Sequence, residues 1–129
     1  HRYIRRQRQM CIRDRPYNNV SFLKSTDLKV GDGRIVSNKK AIIKLVAHYL
    51  MNEKNKKGLP INDVCRFHLG NGAIIDDINI NANVSEVGLN RSFGVMVNYL
   101  YELKNIEKNH EDYINNKKII ISAQLKKKL

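Results

Sequence analysis

The chain has no tryptophan, only two prolines and only two cysteines in 129 residues. Cys11 and Cys65 make neither a disulfide framework nor a metal site. No apolar run reaches the ~18 residues of a membrane span, and the start carries no signal-peptide pattern. A cytoplasmic or organelle-matrix location is the default, with no membrane partner. Several site signatures are also missing. No two histidines stand at metal-ligand spacing on a common face. Gly70-Asn-Gly72 lacks the lysine and helix that must follow in a phosphate-binding loop, and no Gly-x-Ser-x-Gly elbow occurs. There is no internal repeat or low-complexity segment. Acidic residues are scarce as well, 12 against 24 lysines and arginines, which leaves a formal net charge of +12.

That charge would suggest a polyanion partner, but its distribution weakens the reading. Residues 1–15 hold six arginines against one acid and supply +5 of the total. The other 114 residues carry fifteen lysines and only three arginines. So abrupt a switch in base usage suggests two origins. The run from Arg5 to Arg15 looks like translated sequencing-adapter read-through, so residues 1–15 are read as a non-native leader. The alternative is a disordered basic arm that binds nucleic acid or anionic lipid.

Residues 16–129 hold what the chain does have. Hydrophobic content is 42% and charged content 28%, enough for one globular domain or a piece of one. Residues 16–36 read as a loop broken by Pro16, Gly31 and Gly33, with a short strand around Val20–Leu23. Ser37 can cap a helix whose stripe is Ala41, Ile42, Leu45, Val46, Tyr49 and Leu50. Lys54, Lys56 and Lys57 then form its last turn and Gly58 its stop. They read as a solvated helix end, with phosphate binding as the alternative.

After Pro60 comes the most informative stretch, Asp63-Val-Cys-Arg-Phe-His-Leu-Gly-Asn-Gly-Ala73. Asn-Gly between alternating segments signals a hairpin. With Asn71 and Gly72 as the loop, Leu69 pairs with Ile74, His68 with Ile75, and Arg66 faces Asp77 as an opposite-charge pair. Cys65, Phe67, Leu69, Ile74 and Ile78 then share one face, and Val64, Arg66, His68 and Asp77 the other. Asn79, Asn81 and Asn83 end the second strand. A short capped helix follows from Ser85 to Asn90 or Arg91. Val95–Tyr101 favours a strand by its β-branched and aromatic content, Asn105–Ile114 a polar helix, and Ile119–Ile121 a last apolar element. The order predicts a mixed α+β fold of the α/β class, built on an antiparallel hairpin.

His68 is the leading catalytic candidate, because an imidazole ionises near neutral pH and suits proton transfer. A structural histidine on a sheet face is the plainer alternative. His48, beside the apolar stripe of the first helix, reads as structural, and His110 as surface or packing. Tyr99 and Tyr101 read as core residues, with a phenol reaching a polar pocket as the functional alternative.

Five blocks then resemble one family in the right order: Ala47-His-Tyr-Leu-Met-Asn-Glu-Lys54, the stretch Asp63–Ala73, Ser85-Glu-Val-Gly-Leu89, Ser92-Phe-Gly-Val-Met-Val-Asn-Tyr-Leu-Tyr101 and Ile106-Glu-Lys-Asn-His-Glu-Asp-Tyr113. They resemble the C-terminal part of malonyl-CoA decarboxylase over about residues 38–125. The resemblance implies an incomplete GNAT-like acyltransferase fold, its β-hairpin carrying the catalytic histidine and flanked by helices. It implies conversion of malonyl-CoA to acetyl-CoA and carbon dioxide in fatty-acid and malonate metabolism, with no metal, biotin or other cofactor. His68 falls on the family's catalytic histidine, which binds substrate and gives a proton to the enolate left by carbon dioxide. Tyr101 matches a tyrosine near that site. The histidine's serine partner lies in an upstream segment, and neither Ser21 nor Ser25 has its surrounding motif. A fragment inactive by itself is therefore expected, from a full-length enzyme that forms homo-oligomers. Lys127-Lys-Leu129 matches the peroxisomal Ser-Lys-Leu address only in part, which favours a cytoplasmic protein over a mitochondrial or peroxisomal one. The competing readings are another GNAT-like acyl-CoA acyltransferase and a small basic module for nucleic acid or membrane. The reading adopted has malonyl-CoA as substrate and no nucleic-acid partner.

Overall fold

The computed structural model describes residues 3–9, 30–31, 34–35, 39–80 and 95–129. The strand expected around Val20–Leu23, the Ser37 cap and the short helix from Ser85 lie outside the described residues. In chain order the elements are β1 (Tyr3–Gln9), β2 (Val30–Gly31), β3 (Arg34–Ile35), α1 (Lys39–Asn52), α2 (Asp63–Gly70), β4 (Ile74–Asn79), β5 (Met96–Glu102), a 3-10 turn (Leu103–Asn105), α3 (Ile106–Asn116) and α4 (Ala123–Lys128). The fold is mixed α+β.

One antiparallel sheet, ordered β1-β5-β4, carries the helices, and β2 and β3 form a separate two-stranded pair. On β5, Val97, Tyr99 and Tyr101 share a face because strand side chains alternate. Val97 and Tyr99 are buried there against Ile42, Val46 and Leu50 of α1 and Cys65 and Leu69 of α2. β4 runs beside β5 with one interruption. Ile75 pairs with Tyr99 and Asp77 with Asn98, so Asp76 is the extra residue of a bulge. On its other side Ile75 forms a single parallel bridge to Ile121, the last residue of the expected apolar run. Ser122 then caps α4, its hydroxyl accepting from the Leu125 amide at 3.1 Å, and Leu125 joins the core.

The arginine-rich start, expected as a leader or a disordered arm, forms β1. It pairs along the whole of β5, with Ile4 opposite Tyr101 and Arg6 opposite Tyr99. From it the Arg5 guanidinium reaches across to the buried Asp76 carboxylate at 3.1 Å.

The expected hairpin is not there. Residues 63–70 are a helix, and only the second strand, β4, forms. The reason lies at both ends of α2. At its start Asn62 is the N-cap, its side chain accepting from the Cys65 amide at 2.9 Å, with Asp63 in the first turn. At its end Asn71 has φ −92° and only Gly72 is left-handed, at +91°. A two-residue type I′ hairpin needs positive φ at both loop positions. The dipeptide instead closes the helix. The Asn71 amide donates to the carbonyls of Phe67 and His68, and that of Ala73 to His68 at 3.1 Å. The expected faces are lost with the strand. Cys65, His68 and Leu69 are buried together at helical spacing, while Phe67 is 64% exposed. Leu69 and Ile74 are not cross-strand partners. Nor does Arg66 face Asp77: Arg66 pairs with Asp63 at 2.6 Å, and Asp77 with Lys128 at 2.6 Å.

α1 ends at Asn52, short of the lysines assigned to its last turn. These belong to a tight reversal in which Lys54 bridges Pro60 and Gly58 takes φ +77°. Asn55 holds it, its side-chain oxygen accepting from the amides of Lys57 and Leu59.

Candidate active site

His68 lies in the last turn of α2, two residues from the end of a helix clamped by its own cap. The His68 carbonyl accepts from two amides beyond the helix, those of Asn71 and Ala73, which fixes the backbone under the imidazole. His68 is 4% exposed, and three aromatic rings pack against its imidazole. It stacks on Tyr99, with centroids 4.5 Å apart and planes within 20°. Tyr101 meets it edge-on at 5.8 Å, and Phe67 at 5.2 Å. Nδ1 of His68 lies 2.5 Å from the Tyr101 hydroxyl. Beside the pair opens a cavity of about 330 Å³, lined by Ile4, Arg6, Arg8, Phe67, His68, Asn71 and Tyr101. The two residues singled out in the sequence are thus in contact, although one stands on a helix rather than on a hairpin.

The electrostatics differ from the sequence expectation. Burial, helped by the positive charge of Arg8 and Arg6, lowers the His68 pKa from its ordinary value to about 4. At neutral pH the imidazole is therefore uncharged. Burial raises the Tyr101 pKa against the opposing influence of Arg8, an Asn71 hydrogen bond and Arg6. The Asn71 side-chain amide donates to the phenol oxygen, which leaves the phenol hydrogen for Nδ1. That assignment leaves the imidazole hydrogen on Nε2. The unit can pass a proton from phenol to imidazole without ever holding a net cation.

Among the described residues, the other histidines stand apart. His48 is exposed and its Nδ1 accepts from the Asn52 amide at 3.0 Å. His110 donates from Nδ1 to the Gly70 carbonyl at 2.6 Å and so ties α3 to the end of α2. Lys56 and Lys57 line a separate open cavity of about 430 Å³ with Asn55, Leu59 and Arg66. Sequence reasoning missed Phe67 and Asn71 as pocket residues. Both follow from helical spacing once α2 is recognised, and the Asn62-Asp63 cap after Pro60 was the available signal.

Fold and site together define an α+β chain with an uncharged histidine–tyrosine pair at an open pocket. Comparison with known proteins narrows the class. Residues 1–129 match the model of the malonyl-CoA decarboxylase C-terminal domain. The chain belongs to the malonyl-CoA decarboxylase family. It is 42% identical over 84 residues to the mitochondrial malonyl-CoA decarboxylase of Rattus norvegicus, which covers 65% of this chain and 17% of that protein. The corresponding protein of Anser anser anser is 39% identical over 84 residues, covering 65% of this chain and 16% of its own length. The chain thus spans about a sixth of the length of these curated relatives. Among solved structures, the malonyl-CoA decarboxylase of Rhodopseudomonas palustris matches 70% of this chain and 21% of its own, at TM-score 0.66 and 40% identity. That of Agrobacterium vitis matches 70% and 22%, at TM-score 0.65 and 34% identity. Among the described residues, no helix is long and apolar enough to cross a membrane.

Proposed function

We propose that this chain carries the proton-transfer half of a malonyl-CoA decarboxylase site, with His68 and Tyr101 as its working groups. The observation that supports the reading is the 2.5 Å contact between His68 Nδ1 and the Tyr101 hydroxyl at the wall of an open cavity. In the proposed reaction the bond between the malonyl carboxylate and its α-carbon breaks. Carbon dioxide leaves, and the electron pair spreads onto the thioester oxygen as an enolate. His68 delivers the Nε2 proton to the α-carbon to give acetyl-CoA. Tyr101 passes its phenol proton to Nδ1; a solvent proton taken up at Nε2, with return of the Nδ1 proton to the phenolate, restores the starting pair. A neutral imidazole backed by a phenol suits this step, because the enolate is a far stronger base than either group. No metal or other cofactor enters the scheme.

The reading includes a serine partner from a segment upstream in the full-length enzyme, a GNAT-like catalytic domain, homo-oligomeric assembly, and a cytoplasmic or organelle-matrix location. The 129 residues alone are then expected to release carbon dioxide from malonyl-CoA at a negligible rate. The test is carbon dioxide release by the open reading frame extended upstream. His68→Ala is expected to lower kcat by roughly 10²–10⁴-fold, the usual worth of a positioned acid or base. An extended enzyme that keeps full activity without His68 would refute the proposal.

A further inference from the structure

Tyr99 lies beneath the site and has no part in the proton path just described. It is 1% exposed and is the group on which the imidazole lies flat. Its neighbours form a regular pattern. Cys65 and His68 stand three apart on α2, so they share a helix face. Tyr99 and Tyr101 stand two apart on β5, so they share a strand face. The two faces meet as a ladder with two rungs. At the buried end the Cys65 thiol and the Tyr99 hydroxyl are hydrogen-bonded. At the open end His68 meets the Tyr101 hydroxyl. The stacked Tyr99 and His68 rings form the diagonal between them.

Each contact removes a different freedom of the imidazole. The His68–Tyr101 hydrogen bond orients one nitrogen but, alone, leaves the ring free to tilt out of line with the hydroxyl and lose the bond. A second ring at 4.5 Å, with planes within 20°, fixes the ring plane. The Cys65 bond keeps the Tyr99 ring itself from sliding. We propose that Tyr99 is the positioning residue of this site: its ring is the floor that sets the plane of His68 and so aims Nε2 into the cavity. The inference rests on the reading of His68 as the group that transfers the proton. Tyr99 touches neither substrate nor reacting atoms and acts through the histidine.

The experiment is nuclear magnetic resonance of the His68 ring in the 129-residue chain and its variants. In the unmodified chain the His68 ring protons are expected upfield, in the shielding region of Tyr99, with Nε2 carrying the hydrogen and Nδ1 bare. Tyr99→Phe keeps a floor of the same shape and is expected to preserve both signatures. Tyr99→Leu keeps an apolar side chain but no ring, and is expected to abolish the upfield shift and average the two nitrogens. A folded Tyr99→Leu chain with the same single tautomer would overturn the proposal. Should that variant not fold, the unmodified chain decides: His68 ring protons at ordinary positions in the folded protein also overturn it. None of these signals depends on turnover. A failed decarboxylation assay therefore leaves the positioning result standing, and the reverse holds too.

Discussion

At the scale of the residue, the imidazole of His68 makes stability depend on pH. Its folded pKa is lowered to about 4, while the unfolded chain binds the same proton near 6.5. Below pH 6.5 the unfolded state takes up more protons than the folded one. Stability from this group is therefore complete above 6.5 and is lost as pH falls toward 4. Urea midpoints measured between pH 7 and 5, above the range where most carboxylates titrate, are expected to fall. His68→Gln is expected to flatten that fall. The proposed proton transfer makes a second demand on the same group. A neutral His68–Tyr101 pair predicts that kcat/KM of the upstream-extended enzyme stays level from about pH 5 to 9, because the phenol is also raised above its ordinary value. A working imidazolium would instead lose activity above pH 6.5. Tyr101→Phe is expected to lower kcat by roughly tenfold or more while leaving the fold intact, since the hydroxyl lies at the cavity wall.

Among the elements, α2 holds the lesson about what the sequence reveals. Over eight residues a two-residue period fits Cys65, Phe67 and Leu69, while a 3.6-residue period fits Cys65, His68 and Leu69. Alternation was the wrong choice because His68, a polar residue, belongs to the buried stripe. The local evidence for a helix was the Asn62-Asp63 start, and Asn62→Ala is expected to cost about 1 kcal/mol in urea unfolding. The Asn-Gly pair was a true turn signal, but it stops a helix as readily as it joins two strands. Gly72 is held there by more than its φ. A Cβ at this position would lie 2.5 Å from the Ile106 carbonyl oxygen, at the start of α3. Gly72→Ala is expected to destabilise by at least ~1–3 kcal/mol, read from the same unfolding curves. By contrast, α1 and β5 were legible. α1 presents one long apolar stripe, and on β5 the β-branched and aromatic content outweighed a competing helical grouping of Met96, Tyr99, Leu100 and Leu103. β1 could not be read, because its arginines and glutamines carry no alternating apolar signal, and pairing with β5 alone defines it.

For the molecule as a whole, the sheet depends on its first strand. β1 covers the outer edge of β5 and supplies Arg5 to the buried Asp76. Deleting residues 1–15 is expected to uncover that edge, lower the urea midpoint and promote self-association, as light scattering would register. The candidate site was legible at the level of its two principal residues, since the blocks around His68 and Tyr101 pointed to one family. The scaffold that joins them was not. The contact between α2 and β5 spans 33 residues of chain, and local pattern carries no information about such a pairing.

The Cys65 thiol offers a way to watch this architecture open. Buried beneath the site, with its pKa pushed up to about 12, it has almost no thiolate and no path to reagent while α2 stays seated on the sheet. In a Cys11→Ser background, alkylation becomes a stopwatch for the lifting of that helix. The labelling half-time would record how often the pocket floor parts from the strand below it.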